Sequence, residues 1–255
     1  MNRSGFKRIA CAAAIILLSG CANTAQIEKD NLSRRSVEPE DSYTLVLRGY
    51  EKLVQGDHQG ALIDYTQAIA FQPNFTDAYR GQCIAKSHLK DYQGALVACN
   101  KAIMLMPDYY RTYVDRGWVK IGLEDLQGAL VDCNHALTLQ PNIPSAYRGL
   151  GTAKGKLGDY RGALADFNQV ITLEPSHSPD YSERGFVRAK LGDLTGAVAD
   201  FSEAIAFNPN NAIAYYHRSL AREKLGEIGG AKEDLTLALK LNPRLPKPKV
   251  LEATP

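Results

Sequence analysis

The sequence predicts an all-α fold, a solenoid of six stacked helical hairpins, on three observations. A 34-residue pattern runs six times from Ser42 to Leu245 without insertion or deletion, and its closing proline returns as Pro73, Pro107, Pro141, Pro175, Pro209 and Pro243. With Ser42, Thr76, Tyr110, Pro144, Ser178 and Ala212 each taken as position 1, position 20 is alanine in every copy (Ala61, Ala95, Ala129, Ala163, Ala197, Ala231). Position 8 is small throughout: Gly49, Cys83, Gly117, Gly151, Gly185 and Ser219. Small residues at both places let two helices approach closely, and runs such as Leu157-Gly158-Asp159-Tyr160 and Leu191-Gly192-Asp193-Leu194 separate the helices. There glycine ends one helix and aspartate caps the next.

Residues 1–20 read as a targeting segment. Arg3, Lys7 and Arg8 precede the apolar run Ile9 to Leu18, which has 10 residues, far short of the roughly 20 that span a bilayer as a helix. Leu18-Ser19-Gly20-Cys21 resembles the lipobox of bacterial lipoproteins. The resemblance implies cleavage before Cys21 and acylation of that cysteine, with each buried methylene contributing about 0.8 kcal/mol so that multiple chains anchor stably. Ala22 follows where an aspartate would favour inner-membrane retention, which implies the outer membrane, facing the periplasm, in a bacterium with two membranes. An ordinary cleaved signal that leaves Cys21 free is the alternative. Residues 21–41 are polar and read as a tether, with an r.m.s. span of about 25 Å for a flexible chain of that length; residues 246–255 read as a polar tail.

The six repeats span 42–75, 76–109, 110–143, 144–177, 178–211 and 212–245. Position 24 is bulky (Tyr65, Cys99, Cys133, Phe167, Phe201, Leu235) and position 27 small (Ala68, Ala102, Ala136, Val170, Ala204, Ala238), so large meets small across each helix pair. Position 21 is Leu62, Leu96, Leu130, Leu164 and Val198, an apolar surface that one hairpin cannot bury alone. The sixth copy has Lys232 and then Glu233 there, so the last repeat is its own polar cap.

With Tyr79, Tyr113, Tyr147, Tyr181 and Tyr215 at position 4, small residues at 8, 20 and 27 and proline at 32, the pattern resembles the tetratricopeptide repeat, over 204 of 255 residues. The resemblance implies a right-handed superhelix of helix-turn-helix hairpins whose first helices line a concave groove. The copies depart from the commonest family pattern at position 11, which is basic in all six (Lys52, Lys86, Lys120, Lys154, Arg188, Arg222). Position 23 carries Asp64, Asp132, Asp166, Asp200 and Asp234, but Ala98 in the second copy. These predict an ion-pair ladder within the repeats, joined by Arg48, Arg116, Arg184 and Arg218 and missing Lys86.

At 100° per residue, positions 4, 7, 8 and 11 face inward while 2, 5, 6, 9 and 13 point the opposite way and line the groove. The candidate partner-binding residues on that wall are Tyr50, Arg80, Trp118, Arg148, Lys156, Phe186, Lys190 and Lys224. Aromatics and cations are the usual anchors for a protein partner, and the basic residues toward the C-terminus point to an acidic segment. The rings could equally fill gaps between neighbouring first helices. No asparagine stands at groove positions, so the carboxylate clamp of some tetratricopeptide receptors does not carry over.

Beyond the targeting segment the chain holds 27 basic against 28 acidic side chains, a formal charge of −1, so nothing in the charge balance points to a nucleic-acid partner and none is expected. The five histidines fall at different phases without paired metal spacing, and there is no Ser/His/Asp arrangement or phosphate loop. No catalytic residue, metal site or cofactor is expected. Cys83, Cys99 and Cys133 fall on buried faces and are read as buried thiols; an oxidising compartment leaves a Cys83–Cys99 disulfide as the alternative. The expected function is a noncatalytic, membrane-anchored adaptor of the bacterial envelope that binds another envelope protein or peptide segment. The alternatives are a pilotin-like assembly factor for a secretin or type IV pilus, an accessory subunit of an envelope enzyme, or a structural homo-oligomer built through the array ends.

Overall fold

The computed structural model describes residues 41–246. The expected signal, Cys21, the tether and most of the tail lie outside these residues. Twelve helices fill the described chain: α1 (Ser42–Val54), α2 (His58–Phe71), α3 (Thr76–His88), α4 (Tyr92–Leu105), α5 (Tyr110–Gly122), α6 (Leu126–Leu139), α7 (Pro144–Lys156), α8 (Tyr160–Leu173), α9 (Ser178–Lys190), α10 (Leu194–Phe207), α11 (Ala212–Lys224) and α12 (Ile228–Leu241). None is long and apolar enough to cross a membrane. Odd and even helices pair as hairpins, and each even helix packs on the odd helix of the next repeat. Neighbouring odd helices also touch, so they form the inner side of the curve.

The hairpin turn repeats because its chemistry repeats. Asp57, Asp91, Asp125, Asp159 and Asp193 each accept a hydrogen bond from the backbone N–H three residues on, closing the even helices at their N-termini. The preceding residue needs a left-handed backbone, which Gly56, Gly158, Gly192 and Gly226 adopt without a Cβ penalty. Lys90 (φ 64°) and Glu124 (φ 59°) take the same conformation with one.

The core is built where the pattern places small against large. The six position-20 alanines are buried, and the first helix of a repeat comes so close to the second that a Cβ on Gly49 would stand 2.9 Å from Tyr65, one on Gly117 2.7 Å from Cys133, and one on Gly151 2.9 Å from Phe167. The ion-pair ladder forms as expected. Asp64 joins Arg48 and Lys52, Asp132 joins Arg116 and Lys120, Asp200 joins Arg184 and Arg188, and Asp234 joins Arg218 and Arg222. In the fourth repeat, where Leu150 replaces the arginine, Asp166 holds Lys154 alone.

The second repeat corrects one expectation. Cys83 and Cys99 are not thiols but a disulfide, with their Cα atoms 5.3 Å apart. Positions 8 and 24 meet across the hairpin in every repeat, so two cysteines there lie at bridging distance. The bond stands in the one repeat whose ladder is missing, with Gln82, Lys86 and Ala98 in place of arginine, a paired cation and aspartate. Cys133 is a free, buried thiol.

Each end of the stack carries polar side chains at stacking positions, although α12 also leaves Leu237 41% exposed. In repeats two to six, position 3 (Ala78, Thr112, Ala146, Asp180, Ala214) and position 10 (Ala85, Val119, Ala153, Val187, Ala221) are buried against the preceding repeat. The first repeat has exposed Thr44 and Glu51 there, and α12 ends the stack with Lys232 and Glu233.

Candidate partner-binding groove

The odd helices present positions 6, 9 and 13 as a wall. Position 9 holds the three odd-repeat aromatics, of which Tyr50 is 63% and Trp118 36% exposed, while Phe186 is half-buried. Trp118 borders a cavity of about 490 Å³ between α3 and α5, with Ile84 and His88 on its other side. Trp118 and Phe186 thus pack partly against neighbouring helices while keeping an edge open, and Tyr50 stands mostly exposed.

The cations divide. Arg80 and Arg148 at position 5 turn toward the next odd helix and are ion-paired there. Arg80 Nε donates to Asp115 at 2.6 Å, and Arg148 donates to Asp180 at 2.7 Å and to Glu174. His177 completes that cluster with its Nδ1 2.9 Å from Asp180. Lys156 reaches back to Glu124 at 2.9 Å. Lys190 and Lys224 form no ion pair among the described residues; Lys190 lies 5.2 Å from the centroid of the Phe186 ring, an attraction between cation and π-face.

Position 6 was not singled out from the sequence, although its phase matches the groove. It supplies Asp115, Glu183 and His217 to the wall. Burial raises the Asp115 carboxyl against the pull of Arg80. Glu183 is open to solvent yet crowded by the concave wall, and that desolvation, with Asp180 beside it, raises its carboxyl too. His217 is wedged against Phe186 and Phe201, at centroid distances of 5.5 and 5.8 Å; burial, then Lys190, lowers its pKa and favours the neutral ring. At the other end, Tyr43, Leu47, Tyr50 and Val54 form an exposed apolar stripe on α1. Only Tyr50 was expected, although positions 2, 6, 9 and 13 place all four on one face.

His58 and His88 stack at the inner rim, with ring centroids 4.4 Å apart and planes within 5°. Burial and His58 lower the His88 pKa. Positions 17 and 13 of successive repeats meet there, a contact that counting histidine phases within one repeat does not reveal. No group of three or more potential metal ligands occurs among the described residues.

Family models agree with this geometry. A model described as "TPR repeat" matches residues 185–226, and one described as "Tetratricopeptide repeat" matches 144–177 and 212–245. No curated protein matches the chain. Among solved structures, the APC/C hetero-tetramer Cut9–Hcn1 superposes with a TM-score of 0.76 at 18% identity, covering 90% of this chain and 45% of that one; the chain thus spans under half of its length. PilF of Pseudomonas aeruginosa gives 0.70 at 15% identity, covering 80% and 93%. YrrB, described as a TPR protein with an unusual peptide-binding site, gives 0.57 at 22% identity, covering 71% and 93%. At these identities the likeness is one of fold.

Proposed function

From the premise that the chain is a tetratricopeptide-repeat solenoid, a class that binds proteins or peptides, we propose that it is a noncatalytic adaptor of the bacterial cell envelope. It is anchored by lipid on Cys21 and holds a partner protein or peptide along its concave wall. The observation that carries this reading is the wall itself. Three of the six odd helices, α1, α5 and α9, place Tyr50, Trp118 and Phe186 at one register with open edges, and aromatic anchors that become buried on binding are what partner surfaces use. YrrB, with the same fold, is described as having a peptide-binding site. The envelope location rests on Leu18-Ser19-Gly20-Cys21, with the outer membrane as its destination.

Affinity capture from detergent-solubilised envelopes tests the binding role. The wild type should retain specific partners that the combined Tyr50→Ala, Trp118→Ala and Phe186→Ala variant loses while keeping its helical circular dichroism. Equal recovery by the two would refute groove binding. Metabolic labelling with a fatty-acid analogue tests the anchor separately: label should enter the wild type and be absent from Cys21→Ser.

A further inference from the structure

Phe186 separates two concavities. One of about 330 Å³ lies between α7 and α9 and is bordered by Thr152, Gly155 and Lys156. The other, about 220 Å³, lies between α9 and α11 over Phe201 and Leu220. The first exists because the fourth repeat is depleted of side chains there. Thr152 stands where the odd repeats carry an aromatic, and a Cβ added to Gly155 would meet only Ala163, at 3.9 Å. The second has an aromatic floor, since Phe201 and the His217 ring stack behind Phe186. Lys190 borders both and Lys224 borders the second.

Charge distinguishes this end of the groove. Arg80, Arg148 and Lys156 already spend their charge on Asp115, on Asp180 with Glu174, and on Glu124. Lys190 and Lys224 have no carboxylate among the described residues, and both stand at the lip of an apolar pocket. An apolar side chain gains by leaving water in either pocket, and a carboxylate at the lip gains a charge-assisted bond to ammonium.

We infer that Phe186 is a partition between two side-chain pockets that receive two bulky apolar residues of one partner segment, with an adjacent carboxylate of that segment held by Lys190 and Lys224. This rests on the adaptor reading and narrows it to repeats four to six and to an acidic, aromatic or aliphatic peptide. Glu183, which has no cationic partner among the described residues, borders the pocket between α7 and α9, so the carboxylate held by the lysines lies on the α11 side.

Three fluorescein-labelled peptides of equal length serve as probes: alternating Phe-Asp, alternating Phe-Lys and alternating Ser-Asp. Fluorescence anisotropy with the full chain should show saturable binding of the Phe-Asp peptide and at least about tenfold weaker binding of the other two. Phe186→Ala, Gly155→Leu and the pair Lys190→Glu with Lys224→Glu should each weaken the Phe-Asp peptide by a similar factor. Lys101→Glu with Lys240→Glu, the same charge change on even helices, should not. The lysine pair is solvent-facing, so the test stands even if Gly155→Leu does not fold. Equal binding of Ser-Asp would reduce the site to nonspecific charge attraction, and absence of Phe-Asp binding or indifference to the groove variants would overturn it. Envelope capture separates the two readings. Partners kept by the lysine pair but lost by Tyr50→Ala with Trp118→Ala would overturn this site and leave the adaptor standing, whereas loss by neither would overturn both.

Discussion

Asp200 is nearly buried between Arg184 and Arg188, and Asp200→Ala would strand two guanidinium groups beside a vacated site. Denaturant unfolding should register a loss of about 3 kcal/mol. Asp166→Ala should cost less, because Lys154 alone pairs with Asp166 and burial already raises that carboxyl. By contrast, burial raises Asp64 less than Arg48 and Lys52 lower it, and its pKa falls. Two neutral side chains add tests of their own. Burial pushes the Cys133 thiol up to about 12, so iodoacetamide should label its tryptic peptide only after denaturation. His217 titrates below its unfolded value; the unfolded chain therefore takes the proton first. Its contribution is complete above the unfolded pKa, about 6.5, and is lost as pH falls through the window down to the lowered folded value. His88, lowered likewise by burial and by His58, acts in the same direction. The drop in urea midpoint between about pH 7.5 and about pH 5.5 should shrink in His217→Phe. The ladder could be read from the sequence because each of its pairs lies within one repeat at fixed spacing. The partners of Arg80 and Arg148 could not, since they sit on neighbouring repeats and meet only once the stacking angle is set.

Each hairpin is a small set of rules, and the departures from them carry the predictions. Lys90 holds a left-handed backbone that glycine adopts freely, so Lys90→Gly should raise the thermal midpoint by an amount equivalent to about 1 kcal/mol. Asp193→Ala removes the cap on the Gly196 N–H and should cost about 1 kcal/mol by urea unfolding. The turns and caps were legible because glycine and aspartate recur at positions 15 and 16. The redox state of the second hairpin was not: cysteines at positions 8 and 24 specify proximity, which thiols and a disulfide share. That hairpin has the bond and no aspartate clamp, so reduction should leave it the least stable of the six. Hydrogen exchange with and without reductant should show protection falling first in α3 and α4.

In a stack where each repeat touches only its neighbours, stability is a sum of unit and interface terms, and a local fault divides the molecule. A Cβ at Gly151 would press on Phe167; Gly151→Leu should therefore loosen the fourth hairpin and uncouple the repeats before it from those after it, seen as two unfolding transitions by calorimetry where the wild type shows fewer. The architecture and the inner wall were readable from period and phase alone, but how Phe186 partitions the wall depends on cavities left by Thr152 and Gly155 between helices of different repeats. Glu51 and Thr44 at one end, with Lys232 and Glu233 at the other, would each lose water if a seventh hairpin of the same kind were laid against them. The length of the groove is thereby marked at its terminal faces: a ruler of six divisions, against which a guest can be measured.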